Sequence, residues 1–572
     1  MEKNRLQTEP IIRFRDFGFR YFSQEKPTLY GIDLDIFPGE KILIAGPSGS
    51  GKSTLAHCIN GLIPFSYKGE MTGSLTVGGI ETKDADIFSL SKTVGTVLQD
   101  SDAQFIGLSV GEDIAFTLEN DRMALTPMRE AVRKAAESVD IGQLLKASPF
   151  ELSGGQKQRV SFAGVMVAGV DVLLFDEPLA NLDPATGKTA VDLIDRMQQE
   201  YGKTVIIIEH RLEDVLYRPV DRIVVVSEGR IAADLPPDEL IAEGLLPRFG
   251  IREPLYAAAM KQAGIAVKVS HHAGRFETLT LSEQDREKLA AWGSEPLLPA
   301  PPAGKELLRA EHLSFRYNEH RNVIKDISFT IRAGEMVSVV GTNGAGKSTL
   351  AKLICGFVRE DAGALYFEGE DLKGQTIRER AQKIGYIMQN PNQMISKAML
   401  FDEVALGLRI RGESGEAVTE KVHRALKVCG LYPFRKWPVS ALSYGQKKRV
   451  TIASMLVMEP RLLILDEPTA GQDWHHYTEI MEFLKSLNAQ GVTILMITHD
   501  MHLMLEYTTH AIVVHDGTVI GDSTAVDILT NPEIAGCASL KLTSLYDLAE
   551  KTGISDAQRF VQRFIDDENK AV

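Results

Sequence analysis

The chain contains 572 residues, of which 44% are hydrophobic and 24% are charged. At roughly 150 residues per domain this length predicts several compact units, and the ordinary composition excludes a fibrous, wholly disordered or disulfide-stapled protein. The formal net charge of −14 disfavours non-specific binding to duplex nucleic acid, which requires a cationic face.

The sequence carries no signal for secretion or membrane insertion. Its four cysteines are too scattered for a metal site or a disulfide framework, which favours a reducing cytosol. The N-terminal MEKNRLQTEP lacks an apolar signal core, and no apolar run approaches the roughly 18 residues that a membrane helix needs. We therefore expect any membrane contact to occur through partner proteins.

The chain repeats itself once along its length. The segment from Phe19 to the first GKSTL closely matches the segment from Phe315 to the second GKSTL, and later landmarks keep a nearly constant offset. Because such self-similarity marks repeated domains, we predict two homologous units, over 10–248 and 306–535.

The segments outside the two halves also share a pattern. EPLYAAAMKQAGI from Glu253 resembles TSLYDLAEKTGI from Thr543, and each predicts a short helix stopped by glycine. Residues 249–305 contain helical and strand-like stretches and end in EPLLPAPPAGK, whose prolines favour an extended spacer. We predict a linker with a small accessory element there and a helical tail over 536–572.

Each half has a glycine-rich loop directly after an apolar strand. KILIAG runs into Gly46–Ser53 and MVSVVG runs into Gly341–Ser348, and both match the P-loop pattern G-x-x-x-x-G-K-[ST]. Glycines let backbone N–H groups wrap phosphate oxygens, while the next helix points its positive N-terminal end at the same anion. We expect the lysines to reach the β- and γ-phosphates of ATP and the serines to bind Mg²⁺. These residues are Lys52, Lys347, Ser53 and Ser348. The other residues predicted to line the nucleotide sites are Gly46, Ser48, Gly49, Gly51 and Thr54, and Gly341, Asn343, Gly344, Gly346 and Thr349.

A carboxylate pair ends an apolar strand further along each half. In VLLFDEP and LLILDEP, Asp176 and Asp466 stand where a metal ion would be held. The adjacent Glu177 and Glu467 are predicted to polarise the attacking water as general bases. Loop, metal ligand and base together indicate nucleotide hydrolysis.

A short signature upstream of each carboxylate pair indicates the family. With Leu152-Ser-Gly-Gly-Gln156 in the first half and Leu442-Ser-Tyr-Gly-Gln446 in the second, the chain resembles the ATP-binding cassette (ABC) ATPases. The resemblance implies an α/β fold of two tandem P-loop NTPase domains, each with a RecA-like parallel-sheet core, an antiparallel β subdomain and an α-helical signature subdomain. It also implies that each signature closes over the nucleotide of the other cassette, so that the two cassettes pair within one chain.

The same resemblance assigns roles to further positions. An aromatic residue stacks on adenine, a glutamine links Mg²⁺ to the membrane partner, an aspartate lies in the loop crossing the dimer seam, and a histidine contacts the γ-phosphate. In this chain these are Tyr21 and Tyr317, Gln99 and Gln389, Asp183 and Asp473, and His210 and His499. The signature residues implied to contact nucleotide are Ser153, Gly155 and Gln156, and Ser443, Gly445 and Gln446.

Three tasks are open to a twin-cassette ATPase: transport, translation and DNA repair. The linker is mixed and proline-ended, unlike the long charged arm of translation factors, and the acidic balance disfavours the ribosome. Zinc-binding cysteine clusters and long coiled coils, which mark the repair ATPases, are not evident in the sequence. We therefore predict a transport ATPase.

The segments that follow the two glutamines suggest a class of transporter. QDSDAQF with GEDIAFTLEN, and QNPNQM with FDEVALGL, resemble the ATPases of energy-coupling factor transporters, which import vitamins and transition-metal ions. The similarity is greatest to the fused double-cassette form assigned to thiamine or its pyrimidine precursor. Twin-cassette sugar importers are the alternative, although their second P-loop usually departs from the pattern and the loop Gly341–Ser348 is intact.

The energy-coupling factor class implies specific partners and a location. These are an integral transmembrane coupling protein and a small substrate-binding membrane protein, with the ATPase peripheral on the cytoplasmic face of the membrane. Asp100 and Asp102 would lie beside the groove for the coupling helices, where they would pair with arginines.

One departure from the family pattern predicts unequal ATP sites. Tyr444 replaces a signature glycine, and a side chain hinders any backbone conformation with positive φ. Since signatures act across the pair, the site of Lys52 would be impaired, and the site of Lys347 would carry more of the hydrolysis. The alternative is that the ring points away from the nucleotide and both sites work equally.

Overall fold

The computed structural model describes residues 9–98, 104–180, 182–299, 304–318, 321–470 and 472–571. The chain forms two compact units. The first comprises Met1–Leu289 with Gly471–His475, and the second comprises Ala290–Ala470 with His476–Val572. The division falls inside the segment predicted to be a linker.

The first unit contains two sheets. The strands are β1 (Ile12–Tyr21), β2 (Leu29–Ile36), β3 (Lys41–Ala45), β4 (Gly69–Val77), β5 (Ile80–Glu81), β6 (Val94–Val97), β7 (Val172–Asp176), β8 (Thr204–Ile208), β9 (Arg222–Ser227) and β10 (Arg230–Leu235). An antiparallel sheet has the order β2-β1-β4-β5, and a mainly parallel sheet has the order β10-β9-β3-β8-β7-β6. All five residues of β3 and all five of β8 are buried, as expected for central parallel strands covered on both faces.

Helices cover the parallel sheet and build a helical subdomain. They are α1 (Lys52–Ile59), α2 (Leu62–Phe65), α3 (Ile87–Ser91), α4 (Val110–Asn120), α5 (Leu125–Ser138), α6 (Gly154–Met166), α7 (Pro184–Gln199), α8 (Leu212–Val215), α9 (Pro237–Ala242), α10 (Leu255–Gln262) and α11 (Glu283–Gly293), the last spanning the division between the units. Single 3₁₀ turns lie at Gly142–Leu144, Pro149–Glu151, Pro247–Phe249, Val269–His271 and Phe276–Thr278. Ser109 begins α4 and Ser153 begins α6, each through a capping box that satisfies the first free N–H groups of its helix.

The second unit repeats this arrangement. Its strands are β11 (Glu306–Asn318), β12 (Arg321–Arg332), β13 (Met336–Val340), β14 (Ala362–Phe367), β15 (Glu370–Asp371), β16 (Ile384–Ile387), β17 (Leu462–Asp466), β18 (Thr493–Ile497), β19 (His510–His515) and β20 (Thr518–Ser523). The antiparallel sheet has the order β12-β11-β14-β15 and the mainly parallel one β16-β17-β18-β13-β19-β20. An apolar core that includes Phe329, Val339 and Leu350 is buried in this unit.

The helices of the second unit follow the same order and continue into a tail. They are α12 (Lys347–Cys355), α13 (Ile377–Arg380), α14 (Leu400–Ile410), α15 (Glu416–Val428), α16 (Tyr444–Leu456), α17 (Trp474–Ala489), α18 (Met501–Tyr507), α19 (Ala525–Leu529), α20 (Pro532–Cys537), α21 (Ser544–Thr552) and α22 (Ala557–Ala571). Single 3₁₀ turns lie at Pro391–Gln393, Tyr432–Phe434 and Val439–Ala441.

The segment between the halves is folded. The two glycine-stopped helices are confirmed as α10 and α21, with Gly264 and Gly553 in the left-handed region at φ 72° and 75°. The strand-like stretches predicted from the sequence are wrong, since the described part, 249–299, is helical or irregular. Tyr256 of α10 is fully buried and its hydroxyl donates to the carbonyl of Ala273 at 2.8 Å, so a small core of its own orders this element.

The last described part of this segment packs on the tail within the second unit. The ring of Trp292 meets Phe560 edge to face at 5.1 Å, and its Nε1 donates to Asp567 at 2.9 Å. Arg559 donates to the carbonyls of Ser294 and Glu295, both at 3.0 Å. The start of the proline-rich run is therefore fixed against α22 instead of forming a detached spacer. Four residues of this run, 300–303, lie outside the described residues.

Candidate functional site

Three chain segments meet at one edge of each parallel sheet. In the first unit, β3 leads into the P-loop, β8 leads to His210 and β7 ends at Asp176, and these strands are neighbours in the order β3-β8-β7. The second unit has the same arrangement on β13, β18 and β17. The carboxyl ends of adjacent parallel strands form the usual ligand site of open α/β sheets.

Glycine is required by the backbone of both P-loops. Gly46 and Gly341 have φ of 151° and 139°, and a Cβ added there would lie 2.1 Å and 1.9 Å from the carbonyl oxygens of Val226 and Val514. By contrast, a Cβ at Gly49, in the middle of the loop, would meet no atom within 4 Å. The middle of the loop therefore faces open space, which fits the close approach of a phosphate chain.

The P-loop lysines lie against their own loops. Lys52 Nζ donates to the carbonyls of Gly46 at 2.7 Å and Pro47 at 2.8 Å, and Lys347 Nζ makes the matching bonds at 2.8 and 2.9 Å. Burial lowers the pKa of Lys52 to about 8, opposed by the negative charge of Glu177. Each lysine begins the helix that follows its loop. The next residue of each helix is an exposed serine, Ser53 or Ser348, and the one after it is a buried threonine, Thr54 or Thr349.

The carboxylate pairs have the same backbone conformation in both units. Glu177 and Glu467 are each at φ 48°, in the left-handed region, and their N–H groups donate to Ile208 and Ile497 at 2.9 Å. Burial raises the pKa of Glu467 to about 8. Burial, reinforced by the charge of Glu177, raises the pKa of Asp176 to about 6. Such groups hold protons more tightly than exposed carboxylates until a cation approaches.

A histidine contacts the second carboxylate of each pair. The distance from His210 Nε2 to Glu177 Oε1 is 3.0 Å, and that from His499 Nε2 to Glu467 Oε1 is 3.4 Å. The structure therefore brings the predicted histidine and glutamate together in both units. This contact orients the carboxylate at the sheet edge where the P-loop also begins.

The tyrosines predicted to stack on adenine lie beside the P-loop helices. The Tyr21 hydroxyl is 3.1 Å from Thr54 Oγ1, and the Tyr317 hydroxyl is 3.4 Å from Thr349 Oγ1. In the first unit Tyr67 stands edge-on to Tyr21 at 6.4 Å, which adds an aromatic wall. Each tyrosine therefore lies close to the start of the helix that follows its P-loop.

The signature segments start helices α6 and α16. Ser153 and Ser443 cap these helices, each donating its N–H to a glutamine, Gln156 at 2.9 Å and Gln446 at 3.0 Å. A Cβ at Gly155 would come within 2.5 Å of the Thr186 side chain. The fourth signature residue of the second half, Gly445, lies in the first turn of α16.

The structure corrects one argument about the signature. Tyr444 is the first residue of α16 and is not among the residues with positive φ, so its side chain meets no backbone restriction of that kind. At the matching Gly154 an added Cβ would have no atom within 4 Å. The backbone argument for a weaker Lys52 site is therefore wrong, although unequal hydrolysis stays a prediction.

The remaining predicted residues occupy varied positions. Asp183 caps α7 by accepting from Thr186 N–H at 2.9 Å, and Asp473 is buried in the short segment that belongs to the first unit. Gln389 is exposed just after β16, and Asn343, Ser48 and Gly344 are exposed in their loops. Gly51 and Gly346 cap the P-loop helices in the left-handed region. Gln99, Asp100 and Asp102 lie outside the described residues.

Two polar residues near the carboxylates are not predicted from the sequence. Glu209, 3% exposed, accepts from the N–H groups of Leu179 and His210 and so joins the segment after the carboxylate pair to the segment of the histidine. Tyr386 donates from its hydroxyl to Asp466 at 3.1 Å in the second unit. The sequence VIIIEH, in which an acidic residue directly precedes the histidine, could have indicated Glu209. No local pattern in the sequence marks Tyr386.

These features define a pair of P-loop nucleotide-binding domains, each with a carboxylate pair at the same sheet edge as its loop. A family model described as ABC transporter matches 29–180 and 324–470, and one described as ATP-binding cassette cobalt transporter matches 243–315. The chain belongs to the ABC transporter ATP-binding proteins. This confirms the predicted family, the two tandem α/β cassettes and an ATPase coupled to transport.

Relatives and solved structures match over long segments. Proteins named as ABC transporter ATP-binding proteins from Enterococcus faecalis and Clostridium perfringens are each 56% identical, covering 97% and 98% of this chain and 98% and 99% of their own lengths. The structure of cbiO1 from Clostridium perfringens, described as part of the ABC transporter complex cbiONQ, is 32% identical and covers 43% of this chain and 99% of its own, with a TM-score of 0.39. In the described ranges, no helix is both long and apolar enough to cross a membrane.

Proposed function

We propose that this chain is the ATP-hydrolysing subunit of an energy-coupling factor importer, which powers uptake of a vitamin or a transition-metal ion through separate membrane subunits. The observation that carries the proposal is that both units retain a complete P-loop, a carboxylate pair and a histidine on adjacent strand ends. The family model over 243–315, described as a cobalt transporter, supports a metal ion as cargo. The intact second loop argues against a sugar importer.

Each unit would bind one nucleotide along its P-loop. Lysine and backbone N–H groups would hold the phosphates, and tyrosine would stack on the base. Mg²⁺ commonly keeps several waters and binds through one or two protein ligands together with substrate phosphates. Mg²⁺ would neutralise phosphate charge when bound. Its proposed protein ligands are Ser53, Asp176 and Gln99 in one site and Ser348, Asp466 and Gln389 in the other.

Hydrolysis would be completed by the glutamate and histidine of each unit. The carboxylate of Glu177 or Glu467 takes a proton from water as the water oxygen attacks the γ-phosphorus and the bond to the β-phosphate oxygen breaks. His210 and His499 orient these carboxylates. We further propose that each signature completes the site of the other cassette, so that one chain forms both sites.

Exposed apolar side chains next to the glutamine segments support docking of membrane subunits. In the first unit Ile106 and Leu108 are 65% and 84% exposed just beyond Gln104. In the second unit Met388 and Met399, on either side of the segment that follows Gln389, are each 36% exposed. We propose that these faces receive short helices of a transmembrane coupling protein, which would place the chain at the cytoplasmic face of the membrane.

The proposal is tested by purifying the full chain from solubilised membranes and identifying its partners. The complex is then reconstituted in proteoliposomes and assayed for ATP-dependent uptake of radioactive Co²⁺, labelled thiamine and a labelled sugar. We expect uptake of the metal ion or the vitamin, and its loss in a Glu177→Gln, Glu467→Gln double variant. Sugar uptake, outward transport or purification without membrane subunits would each contradict the proposal.

A further inference from the structure

A buried lysine touches the catalytic loop of the second unit. Lys448 lies on α16, four residues after Tyr444, and is only 2% exposed. Its Nζ donates to the carbonyl of Glu467 at 2.9 Å and to that of Pro468 at 2.6 Å. Fully buried lysines are rare because removing an ammonium from water is costly unless partners compensate for it.

The two carbonyls belong to consecutive peptides, the one that joins Glu467 to Pro468 and the next one along the chain. Glu467 itself is in the left-handed region at φ 48°, and its N–H is bonded to Ile497. A non-glycine residue in that conformation persists only where its surroundings hold it. Lys448 holds this turn through its two carbonyl bonds, and its positive charge attracts the carboxylates of Glu467 and Asp466.

The first unit provides an internal comparison. The position equivalent to Lys448 is Gln158, in LSGGQKQR against LSYGQKKR. Gln158 is 8% exposed, and its Nε2 donates to Pro178, the second of the two equivalent carbonyls. The first catalytic loop is therefore held by a neutral amide, whereas the second is held by an ammonium bonded to both carbonyls.

We propose that Lys448 is a positioning residue for hydrolysis in the second unit, holding the Glu467–Pro468 turn so that the carboxylate faces its water. The inference rests on the proposed role of Glu467 as the general base. Lys448 also connects the helix that begins with a signature segment to a carboxylate loop. In the described part of the chain its ammonium donates to the carbonyls of Glu467 and Pro468 and not to the P-loop, so its loss should lower kcat and leave the KM for ATP unchanged.

The experiment uses the full chain with Glu177→Gln in the background, so that turnover reports the Glu467 site. We expect Lys448→Met to lower kcat by about 10- to 100-fold, because small misplacements of a catalytic group have effects of this size. Lys448→Gln, which installs the residue of the first unit, should lower kcat less. Binding of a fluorescent ATP analogue should change by less than about twofold, since the phosphate-binding loop is untouched.

Lys447→Gln is the matched control, because it removes a neighbouring lysine that is partly exposed and bonded at 3.4 Å to Asn392. If urea unfolding shows that the Lys448→Met variant is not folded, the kcat of Lys448→Gln alone tests the inference. An unchanged kcat, or a rise in KM that matches the loss of activity, would overturn the inference. Glu467→Gln in the same background separates the two levels: if it leaves turnover intact, the proposed function of Glu467 itself fails.

Discussion

His510 should make the stability of the second unit depend on pH. It is the first residue of β19, and its ring lies between Glu335, at 3.3 Å from Nδ1, and Asp522, which contacts Nε2. Burial alone would lower the pKa of His510, but the hydrogen bonds to Asp522 and Glu335 outweigh burial and raise the pKa to about 9. The ring is therefore protonated in the folded chain at neutral pH.

The first unit has the same arrangement with a permanent charge. Arg222 begins β9 and bonds to Glu40 at 2.7 Å and to Asp234. Arginine stays protonated throughout the accessible pH range, so the ion pairs of Arg222 persist as pH rises. The two units therefore allow a titrating cation, His510, to be compared with a permanent one, Arg222, at equivalent positions.

The sign of the effect follows from the direction of the shift. The pKa of His510 is raised above its ordinary value of 6.5, so its contribution to stability is complete below pH 6.5 and is lost as pH rises through about 9. The full shift corresponds to about 3 kcal/mol, and solvent screening at a cluster where Asp522 is partly exposed reduces this to about 1–2 kcal/mol. Most of the loss should fall between pH 6.5 and 9.

The assay compares wild type with His510→Arg by urea unfolding of the full chain between pH 6 and 10, with hydrogen exchange of peptides from β19 and β20 as the local measure. We expect the variant to gain about 1–2 kcal/mol of unfolding free energy relative to wild type across this range. Arg222→His should introduce the same pH dependence into the first unit. Parallel pH profiles for wild type and His510→Arg would refute the reasoning.

Three further predictions concern catalysis and assembly. Glu177→Gln and Glu467→Gln should each retain ATP binding and reduce turnover at their own site by roughly 10²- to 10⁴-fold, and an unchanged rate in the double variant would remove both bases from the mechanism. Tyr444→Gly should change the ATPase rate by less than about twofold, because the first residue of a helix does not need positive φ; a large gain in rate would restore the steric interpretation of that tyrosine. The purified membrane complex should contain a single copy of this chain by native mass spectrometry, and two copies would contradict pairing of the cassettes within one chain.

Features that depend on local sequence were predictable before the structure. The P-loops and the carboxylate pairs each join a buried strand to a turn, and both the apolar run and the turn residues are contiguous in sequence. The histidines are predicted from the family resemblance, and the repetition of their position in both halves strengthens that prediction. By contrast, the clusters around Arg222 and His510 join residues far apart in sequence, so composition and spacing give no sign of them.

The wrong prediction of a backbone restriction at Tyr444 and the absence of any prediction for Lys448 have one physical origin. Both lie on α16, and a signature glycine suggests a backbone constraint until the helix start shows ordinary helical geometry. Four residues after Tyr444 the two halves differ again, with Lys448 in LSYGQKKR where the first half has Gln158 in LSGGQKQR. This second difference lies against the loop of the carboxylate pair. A lysine in a basic stretch is usually solvated, and only the fold shows that Lys448 is buried against Glu467 while Lys447 is not. Any difference in hydrolysis between the two units is therefore better sought at Lys448 and Gln158 than at the aromatic ring of the signature.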